Sequence, residues 1–325
     1  MVDAMGGDGG LETSLGGMAM ALDADPGLHI VACGRRDEIE AASTGALNRH
    51  GKRFSVTAAD EVLPADASPA QALRHGRNSS LWQALECLRS EQAEALVSAG
   101  GTGALLALSR QILGTLPGVE RPALMAALPS AERPVWVLDL GANLNVDARR
   151  LLEFAQLGSV AVEVLEGREP CIGVLNVGSE PGKGPDVVRE AARLIDADPA
   201  LNYQGFIEAD AVFAGRVDLV VCDGFSGNVL LKAGEGAVRL VLAETAARFR
   251  RSFAGWLGRS RFAALHDSFD PARHNGAPLL GLRGTVIKSH GGAGSDGFAR
   301  AIALAALEAR QDLVSRLEKR LWADA

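Results

Sequence analysis

The sequence predicts an α/β fold: a doubly wound, mostly parallel sheet sandwiched by helices. Three observations predict it, namely short apolar runs, amphipathic stretches between them, and glycine clusters where the runs end. The runs are continuous and not alternating, which is typical of parallel strands that helices cover on both faces. Each right-handed crossover between such strands supplies one covering helix.

The strand prediction rests on short segments rich in Val, Leu, Ile and Ala. Helices are predicted where apolar residues recur at helical spacing. The predicted strands are 29–33, 95–98, 123–128, 135–140, 171–177, 219–222 and 285–289. The predicted helices are 81–88, 151–165, 187–195, 229–249 and a closing helix over 299–321. No repeat or long Pro/Ser linker divides the chain, so we expect one α/β domain over residues 1–325.

Glycine clusters follow four of the predicted strands, at 100–103, 141, 178–184 and 224–227. Ligands of open parallel sheets lie outside the carboxyl ends of strands, where glycine lets backbone amides approach an anion. We therefore expect these loops to meet at one sheet edge and to form a phosphate site.

Composition excludes several classes of protein. A net charge of −7 argues against general nucleic-acid binding, which needs a basic face. No apolar run is long enough to span a membrane, and no signal sequence begins the chain, so a cytoplasmic protein is expected. The four cysteines are scattered singly, without zinc or redox spacing. Reduced, buried thiols and no metal are expected.

One local segment departs from the negative net charge. Residues 248–261 contain five arginines and no acidic residue, and Phe249, Phe253, Trp256 and Leu257 share one helical face. We interpret residues 248–275 as a basic amphipathic helical insertion. Such a helix can lie on anionic lipid, and it can equally pack in a dimer or form a lid.

Seven motifs follow one another along the chain: DAMGGD (3–8), SAGGTGA (98–104), DLGAN (139–143), LNVGSEPGKG (175–184), CDGFSGNV (222–229), NGAPLLG (275–281) and SHG (289–291). Each glycine motif alone is weak. Their order and spacing resemble the PlsX phosphate acyltransferase family across essentially the whole chain.

The resemblance implies a fold like that of isopropylmalate dehydrogenase and phosphotransacetylases, and a homodimer in phospholipid synthesis. It implies that acyl-[acyl carrier protein] and inorganic phosphate react to give acyl phosphate, which a membrane acyltransferase then uses to acylate glycerol 3-phosphate. It also implies that the protein makes peripheral contact with the inner face of the membrane. The acidic carrier protein would dock on arginines, with Arg74, Arg77, Arg248, Arg250 and Arg251 as candidates.

The family has a few more residues before DAMGGD, so the first strand here is expected at 1–4. This chain has Gly101 where the family has Asn, and Asn145 and Val146 where it has Asp and Cys.

Lys183 lies between Gly182 and Gly184, where its ammonium is suited to bind phosphate as a point charge, although a solvated loop lysine is the alternative. Asp223, Ser226 and Asn228 follow a predicted buried strand. We expect Ser226 to cap the next helix. For Asn228, a structural role and an amide donated to phosphate or to the thioester oxygen both stay open.

His290 lies at another strand end. Its imidazole is either a general acid that protonates the departing thiolate or an ordinary loop histidine. Ser98 and Thr102 either line an anion site or cap a helix. Asp8, like Asp3 and Asp139, is expected to hold a glycine turn, with metal binding as the lesser alternative. The resemblance adds further phosphate-binding candidates: Gly6, Gly7, Gly100, Gly103 and Asn143.

No cofactor is expected, because direct transfer requires only bound phosphate, oxyanion donors and a dry pocket. Two other functions stay open. An isopropylmalate dehydrogenase-like oxidoreductase would share the fold, but the chain lacks a strand-linked GxGxxG followed by an acidic residue. A membrane-associated scaffold impaired by Gly101 and the short first strand is the third hypothesis.

Overall fold

A computed structural model describes residues 1–43, 45–250 and 275–322. It contains an 11-stranded sheet with helices on both faces, which confirms the predicted fold class. The strands are β1 (Val2–Asp3), β2 (Ile30–Gly34), β3 (Phe54–Ala58), β4 (Ala95–Ser98), β5 (Ala123–Leu128), β6 (Val135–Leu138), β7 (Ile172–Leu175), β8 (Tyr203–Ile207), β9 (Leu219–Val221), β10 (Ala277–Leu280) and β11 (Thr285–Lys288). The helices are α1 (Gly10–Ala24), α2 (Arg36–Ala42), α3 (Gly45–Asn48), α4 (Pro69–His75), α5 (Ser80–Arg89), α6 (Thr102–Leu113), α7 (Ala148–Glu166), α8 (Asp186–Asp196), α9 (Ala209–Val212), α10 (Gly224–Arg250), α11 (Ser295–Arg310) and α12 (Leu313–Trp322), with a 3₁₀ turn at Gly51–Arg53.

The sheet has the strand order β3-β2-β1-β4-β11-β10-β5-β6-β9-β7-β8. Two parallel blocks form it, one from β3 to β11 and the other from β6 to β8. Between the blocks, the pairs β11–β10, β10–β5 and β5–β6 are all antiparallel. Three reversals leave the second block antiparallel to the first, so the carboxyl ends of the two blocks lie at opposite edges of the sheet.

Both faces of the sheet are covered, which explains the continuous apolar runs. Neighbouring residues of β11 show the alternation: Val286 belongs to the core that α4, α5, α6 and the beginning of α10 cover, and Ile287 to the core that α1 and α11 cover on the other face. On that second face, α7, α8 and α12 cover the second block around the fully buried Phe154. Each central strand is therefore buried on both sides.

Three strands of the structure were not predicted from the sequence. β3 and β8 form the two outer strands of the sheet and are only partly buried, so they lack the continuous apolar pattern of the central strands. β10 contains Pro278, a residue that argues against a central strand. Here Pro278 lies in an antiparallel pair opposite Ile287.

The other predicted elements are confirmed with small shifts at their ends, except at the C-terminus. The expected closing helix over 299–321 is two helices, α11 and α12. Between them, Asp312 adopts a left-handed conformation with φ of 52°. A non-glycine residue in that region interrupts a right-handed helix, and the chain turns there.

The predicted insertion at 248–275 lies outside the described residues, apart from the last helical backbone of α10 and Asn275. After Leu230, no side chain of α10 up to Ala247 is buried. Within the described ranges, no helix combines the length and apolar character needed to cross a membrane. One domain over 1–325 stays a prediction.

Candidate functional site

The predicted site residues fall into two groups, because the two strand blocks run in opposite directions. The Lys288 edge carries the carboxyl ends of β1, β4 and β11, and the Lys183 edge carries those of β6, β7 and β9. The expectation that all the glycine loops share one edge is therefore wrong. A four-residue strand spans about 13 Å, so one small ligand bound by a single chain cannot contact both groups. The Lys288 edge holds Gly6, Gly7, Asp8, Ser98, Gly100, Thr102, Gly103 and His290. The Lys183 edge holds Asn143, Gly182, Lys183, Gly184, Asp223, Ser226 and Asn228.

The loop after β7 presents Lys183 and is closed at its base by Asn176. The buried Asn176 amide donates to the carbonyls of Gly178 (3.1 Å) and Lys183 (3.0 Å). Gly184 has φ of 87° and lies directly against Asn176 Oδ1, where no Cβ would fit. Glycine is thus required at 184 on two grounds.

The Lys183 ammonium is exposed and pairs with Glu180 at 2.8 Å. The hydrogen bond from Lys183 to Glu180 raises the lysine pKa, so the ammonium stays charged at neutral pH. Gly178 packs against the aliphatic part of the Lys183 side chain. A Cβ at Gly182 would meet no atom within 4 Å, so the space beside Gly182 is open.

The loop after β6 is held by Asp139, as the sequence predicted. The fully buried Asp139 carboxylate accepts from the backbone N–H groups of Leu124 (2.9 Å), Ala142 (3.2 Å) and Asn143. Burial raises the Asp139 pKa against the opposing effect of these hydrogen bonds. The Asn143 amide is also used internally, because it donates to Pro122 O at 3.0 Å.

Asp223, not Ser226, caps α10. The Asp223 carboxylate accepts from the Ser226 backbone N–H (2.7 Å) and hydroxyl (3.1 Å), which corrects the expectation for Ser226. An aspartate fits this place because its carboxylate also favours the positive end of the helix dipole. Asn228, one turn further on, is exposed beside Gly141, whose φ is 119°.

At the Lys288 edge, Asp3 organises the ends of β1 and β4. The buried Asp3 carboxylate accepts from the hydroxyls of Ser80 and Ser98, each at 2.7 Å. Ser98 Oγ in turn accepts from Gly100 N at 3.1 Å. Asp3 thus holds the glycine turn through Ser98, and the Ser98 hydroxyl is committed to this internal network.

The end of β11 is fixed by Asn275. Its amide group donates to Ser289 Oγ and to Gly297 O, and its oxygen accepts from His290 N, all at 2.8 Å. The His290 ring is exposed, and its Nδ1 accepts from Gly292 N at 3.1 Å.

The remaining candidates of this edge lie where three loops meet. Gly6 packs onto the backbone of Gly100, and Gly7 packs against Ala99 and Gly291. The backbone N–H of Asp8 donates to Gly291 O at 2.8 Å. Thr102 and Gly103 begin α6, whose N-cap is Gly101, so neither Ser98 nor Thr102 caps that helix through its side chain.

Burial disfavours the thiolate form of Cys33, Cys87 and Cys222. Burial raises the pKa of Cys33 to about 12 and raises those of Cys87 and Cys222. Among the described residues, no group of three or more His, Cys, Asp or Glu side chains is placed to hold a metal ion. Thiolate chemistry at these three cysteines is unfavourable near neutral pH.

Sequence reasoning gave no role to Asn176, Asn275 or Lys288. Asn176 and Asn275 lie inside the quoted motifs LNVGSEPGKG and NGAPLLG, and Lys288 directly precedes SHG. An asparagine beside glycine turns is a signal for turn-closing hydrogen bonds. For Lys288 the signal is a lysine that ends a run of otherwise apolar strand residues.

Comparison with known proteins gives consistent matches. The family described as fatty acid synthesis protein matches residues 1–316. The phosphate acyltransferase of Pseudomonas fluorescens is 45% identical over 324 residues, which cover 98% of this chain and 96% of that relative.

Two solved structures resemble the fold. A phosphotransacetylase from Streptococcus pyogenes matches with a TM-score of 0.62 and 19% identity, over 96% of this chain and 94% of that one. A branched-chain phosphotransacylase from Enterococcus faecalis V583 matches with a TM-score of 0.60 and 14% identity, over 95% and 98%. At these identities the likeness concerns the fold alone.

Proposed function

The chain belongs to the fatty acid synthesis protein family, and from this membership we propose that it is a phosphate acyltransferase that transfers a long-chain acyl group from acyl carrier protein to inorganic phosphate. The product is acyl phosphate for phospholipid synthesis. The proposal places the transfer at the Lys183 edge.

One observation carries this placement. Lys183 and Asn228 are both exposed, and they follow the neighbouring strands β7 and β9. Neighbouring parallel strands lie about 4.8 Å apart, so the loop that carries Lys183 and the helix that carries Asn228 both begin at the Lys183 edge. An ammonium attracts the phosphate anion, and a carboxamide N–H is a suitable donor to a developing oxyanion.

The proposed reaction needs no enzyme-bound intermediate. A phosphate oxygen attacks the thioester carbonyl carbon, and Asn228 donates to the carbonyl oxygen as it becomes negative. The C–S bond then breaks, the acyl phosphate forms, and the thiolate leaves and takes a proton from solvent. The raised pKa values of Cys33, Cys87 and Cys222 are consistent with direct attack by phosphate. His290 lies at the other edge, so this step does not use it.

The partners follow from the same proposal. The acidic carrier protein would dock on basic side chains, of which Arg74 and Arg77 are exposed. The side chains of Arg248, Arg250 and Arg251 lie outside the described part of the chain. A cytoplasmic homodimer, with peripheral contact of residues 248–262 on the inner face of the membrane, completes the proposal.

The test is phosphate-dependent loss of the thioester from long-chain acyl carrier protein, followed by released thiol and by trapping of acyl phosphate with hydroxylamine. We expect hydroxamate only when phosphate is added. Thiol release that does not depend on phosphate, or a folded protein without turnover, would overturn the proposal.

Lys183→Ala tests the placement at the Lys183 edge. Losing a charge-assisted contact of about 1.5–3 kcal/mol should raise the KM for phosphate by tenfold or more. Lys232→Ala is a matched control, because the Lys232 side chain is about as exposed as that of Lys183 and also pairs with a glutamate, Glu235, at 2.9 Å. Equal KM values for the two variants would remove Lys183 from phosphate binding.

A further inference from the structure

Lys288 is a buried ammonium that has no acidic partner among the described residues. Only 8% of this last residue of β11 is exposed. Its Nζ donates to Ala99 O at 3.3 Å and to Ser289 O. Lys288 forms no ion pair with a described residue, so no carboxylate oxygen of those residues lies within 4 Å of its Nζ. Two carbonyl groups thus accept from an ammonium that carries three N–H groups.

Keeping this charge buried costs stability. Burial lowers the Lys288 pKa to about 8, against the opposing pull of the Asp8 and Asp3 carboxylates. The side chain is therefore still largely charged at neutral pH. A buried charge without a close partner destabilises a fold, and an apolar side chain of similar size avoids that cost. Hydrogen bonds to the carbonyls of Ala99 and Ser289 do not by themselves require a charged donor.

The surroundings of Lys288 favour an anion. The helices α1, α6 and α11 all begin at the Lys288 edge, directly after β1, β4 and β11. Their N-cap residues are Gly9, Gly101 and Gly294, and none of the three helices has a side-chain cap. The first-turn N–H groups of these helices, each at least twelve residues long, carry a partial positive charge. Two carboxylates, those of Asp8 and Asp3, act on the Lys288 charge, and that of Asp3 is already occupied by the Ser80 and Ser98 hydroxyls.

We propose that the Lys288 edge is an oxyanion site, separate from the Lys183 edge, in which the Lys288 ammonium and the N-terminal amides of α6 hold a phosphate-type group. The identity of the ligand rests on the proposed function. Two phosphate-type groups belong to that reaction: inorganic phosphate, and the phosphodiester that links the acyl-bearing arm to its carrier protein.

The experiment is direct binding, measured by calorimetry on the full chain, with inorganic phosphate in one arm and 4′-phosphopantetheine in the other. The variants are Lys288→Met, which removes charge and donors, and Lys288→Gln, which keeps a donor for the carbonyls but removes the charge. Lys52→Met is the matched control, since Lys52 is exposed before β3, away from the Lys288 edge. Lys183→Ala reports on the other edge.

We expect one of the two probes to bind the wild-type protein and to bind both Lys288 variants at least tenfold more weakly. Lys52→Met should bind like the wild type, and Lys183→Ala should retain the part of the binding that depends on Lys288. The Tm of Lys288→Met should be equal to or above that of the wild type. The probe that loses affinity identifies the source of the phosphate group.

Three results would overturn the inference: unchanged affinity in Lys288→Gln, a lower Tm of Lys288→Met with unchanged affinity, or no binding of either probe to the wild-type protein. The first two would make Lys288 a support for the two carbonyls. Because binding is measured without turnover, failure of acyl transfer leaves this test intact. An active enzyme whose Lys288 variants bind normally would refute only the second site.

Discussion

At the scale of single residues, Asn176 controls how Lys183 is presented. Its buried carboxamide closes the loop through the carbonyls of Gly178 and Lys183. A carboxylate of the same shape would repel both carbonyls. Among the described residues, the ion-pair partner of the exposed Lys183 side chain is Glu180, so the position of Lys183 depends on this backbone support.

Asn176→Asp should therefore raise the KM for phosphate by up to about thirtyfold while changing kcat less, because two hydrogen bonds of about 1 kcal/mol each are lost. Steady-state kinetics with varied phosphate measures the two constants separately. Asn48→Asp, an exposed asparagine of α3, should leave both unchanged. A fall in kcat at constant KM would show that Asn176 does not act through phosphate binding.

A second residue-scale effect concerns Glu308, which is fully buried in α11 and has an unpartnered Oε1. Burial raises its pKa to about 8. Since the folded-state pKa lies above the unfolded value of 4.5, the unfolded chain releases a proton that the folded chain keeps. Between about pH 4.5 and 8 this group thus lowers the free energy of unfolding by about 1.4 kcal/mol per pH unit.

Glu308→Gln should flatten the decline of stability between pH 5 and 8 and make the variant more stable than the wild type at pH 8. Urea unfolding at several pH values measures this slope. Glu318→Gln, at an exposed position of α12, should retain the wild-type slope. Parallel curves for Glu308→Gln and the wild type would mean that folding does not raise the pKa of Glu308.

At the scale of elements, the beginning of α6 explains why Gly101 differs from the family's asparagine. A Cβ at position 101 would lie 2.6 Å from Ala65 O, which is closer than real contacts allow. The loop that contains Ala65 therefore packs directly on the N-terminus of α6. Accommodating an asparagine requires that backbone to move.

Gly101→Asn should accordingly destabilise the protein by about 1–3 kcal/mol, as overpacking usually does. Thermal unfolding measures the change. Gly236→Asn, in an exposed turn of α10 with nothing within 4 Å, should not lower the Tm. An unchanged or higher Tm for Gly101→Asn would show that the backbone at Ala65 moves away without loss of stability.

At the scale of the whole molecule, the strands were more predictable than their directions. The run at Ala95–Ser98 is apolar whichever way it points, so composition located the central strands but could not orient them. The missed signal was connection length. Only six residues separate β5 from β6 and four separate β10 from β11, and a parallel crossover needs a dozen or more. These two hairpins, together with the antiparallel β10–β5 pair, reverse the second block.

The same reversal explains which parts of the site were predictable. The Lys183 loop is local, and its motif could be recognised in the sequence. The setting of Lys288 depends on Ala99, 189 residues away, a pairing that no local pattern contains. The grouping of candidates at two edges likewise follows from sheet topology, which the motifs do not encode.

The two edges should behave as independent regions of one sheet. Asp3 and Asp139 share no hydrogen-bond partner: Asp3 accepts from Met5, Ser80 and Ser98, and Asp139 from Leu124, Ala142 and Asn143. Mutations more than about 10 Å apart without shared partners usually add within about 0.5 kcal/mol. Asp3→Asn and Asp139→Asn should each cost about 1–3 kcal/mol, and their effects should add in the double variant.

Urea unfolding of the wild type, the two single variants and the double variant gives the coupling energy. As a control for contact coupling, Asp3→Asn combined with Ser98→Ala should depart from additivity, because Ser98 Oγ donates to Asp3. A coupling energy above about 1 kcal/mol between Asp3 and Asp139 would contradict independence. It would mean that the antiparallel strands β10 and β5 transmit strain from one edge to the other, so that a ligand bound at Lys288 alters the Lys183 loop.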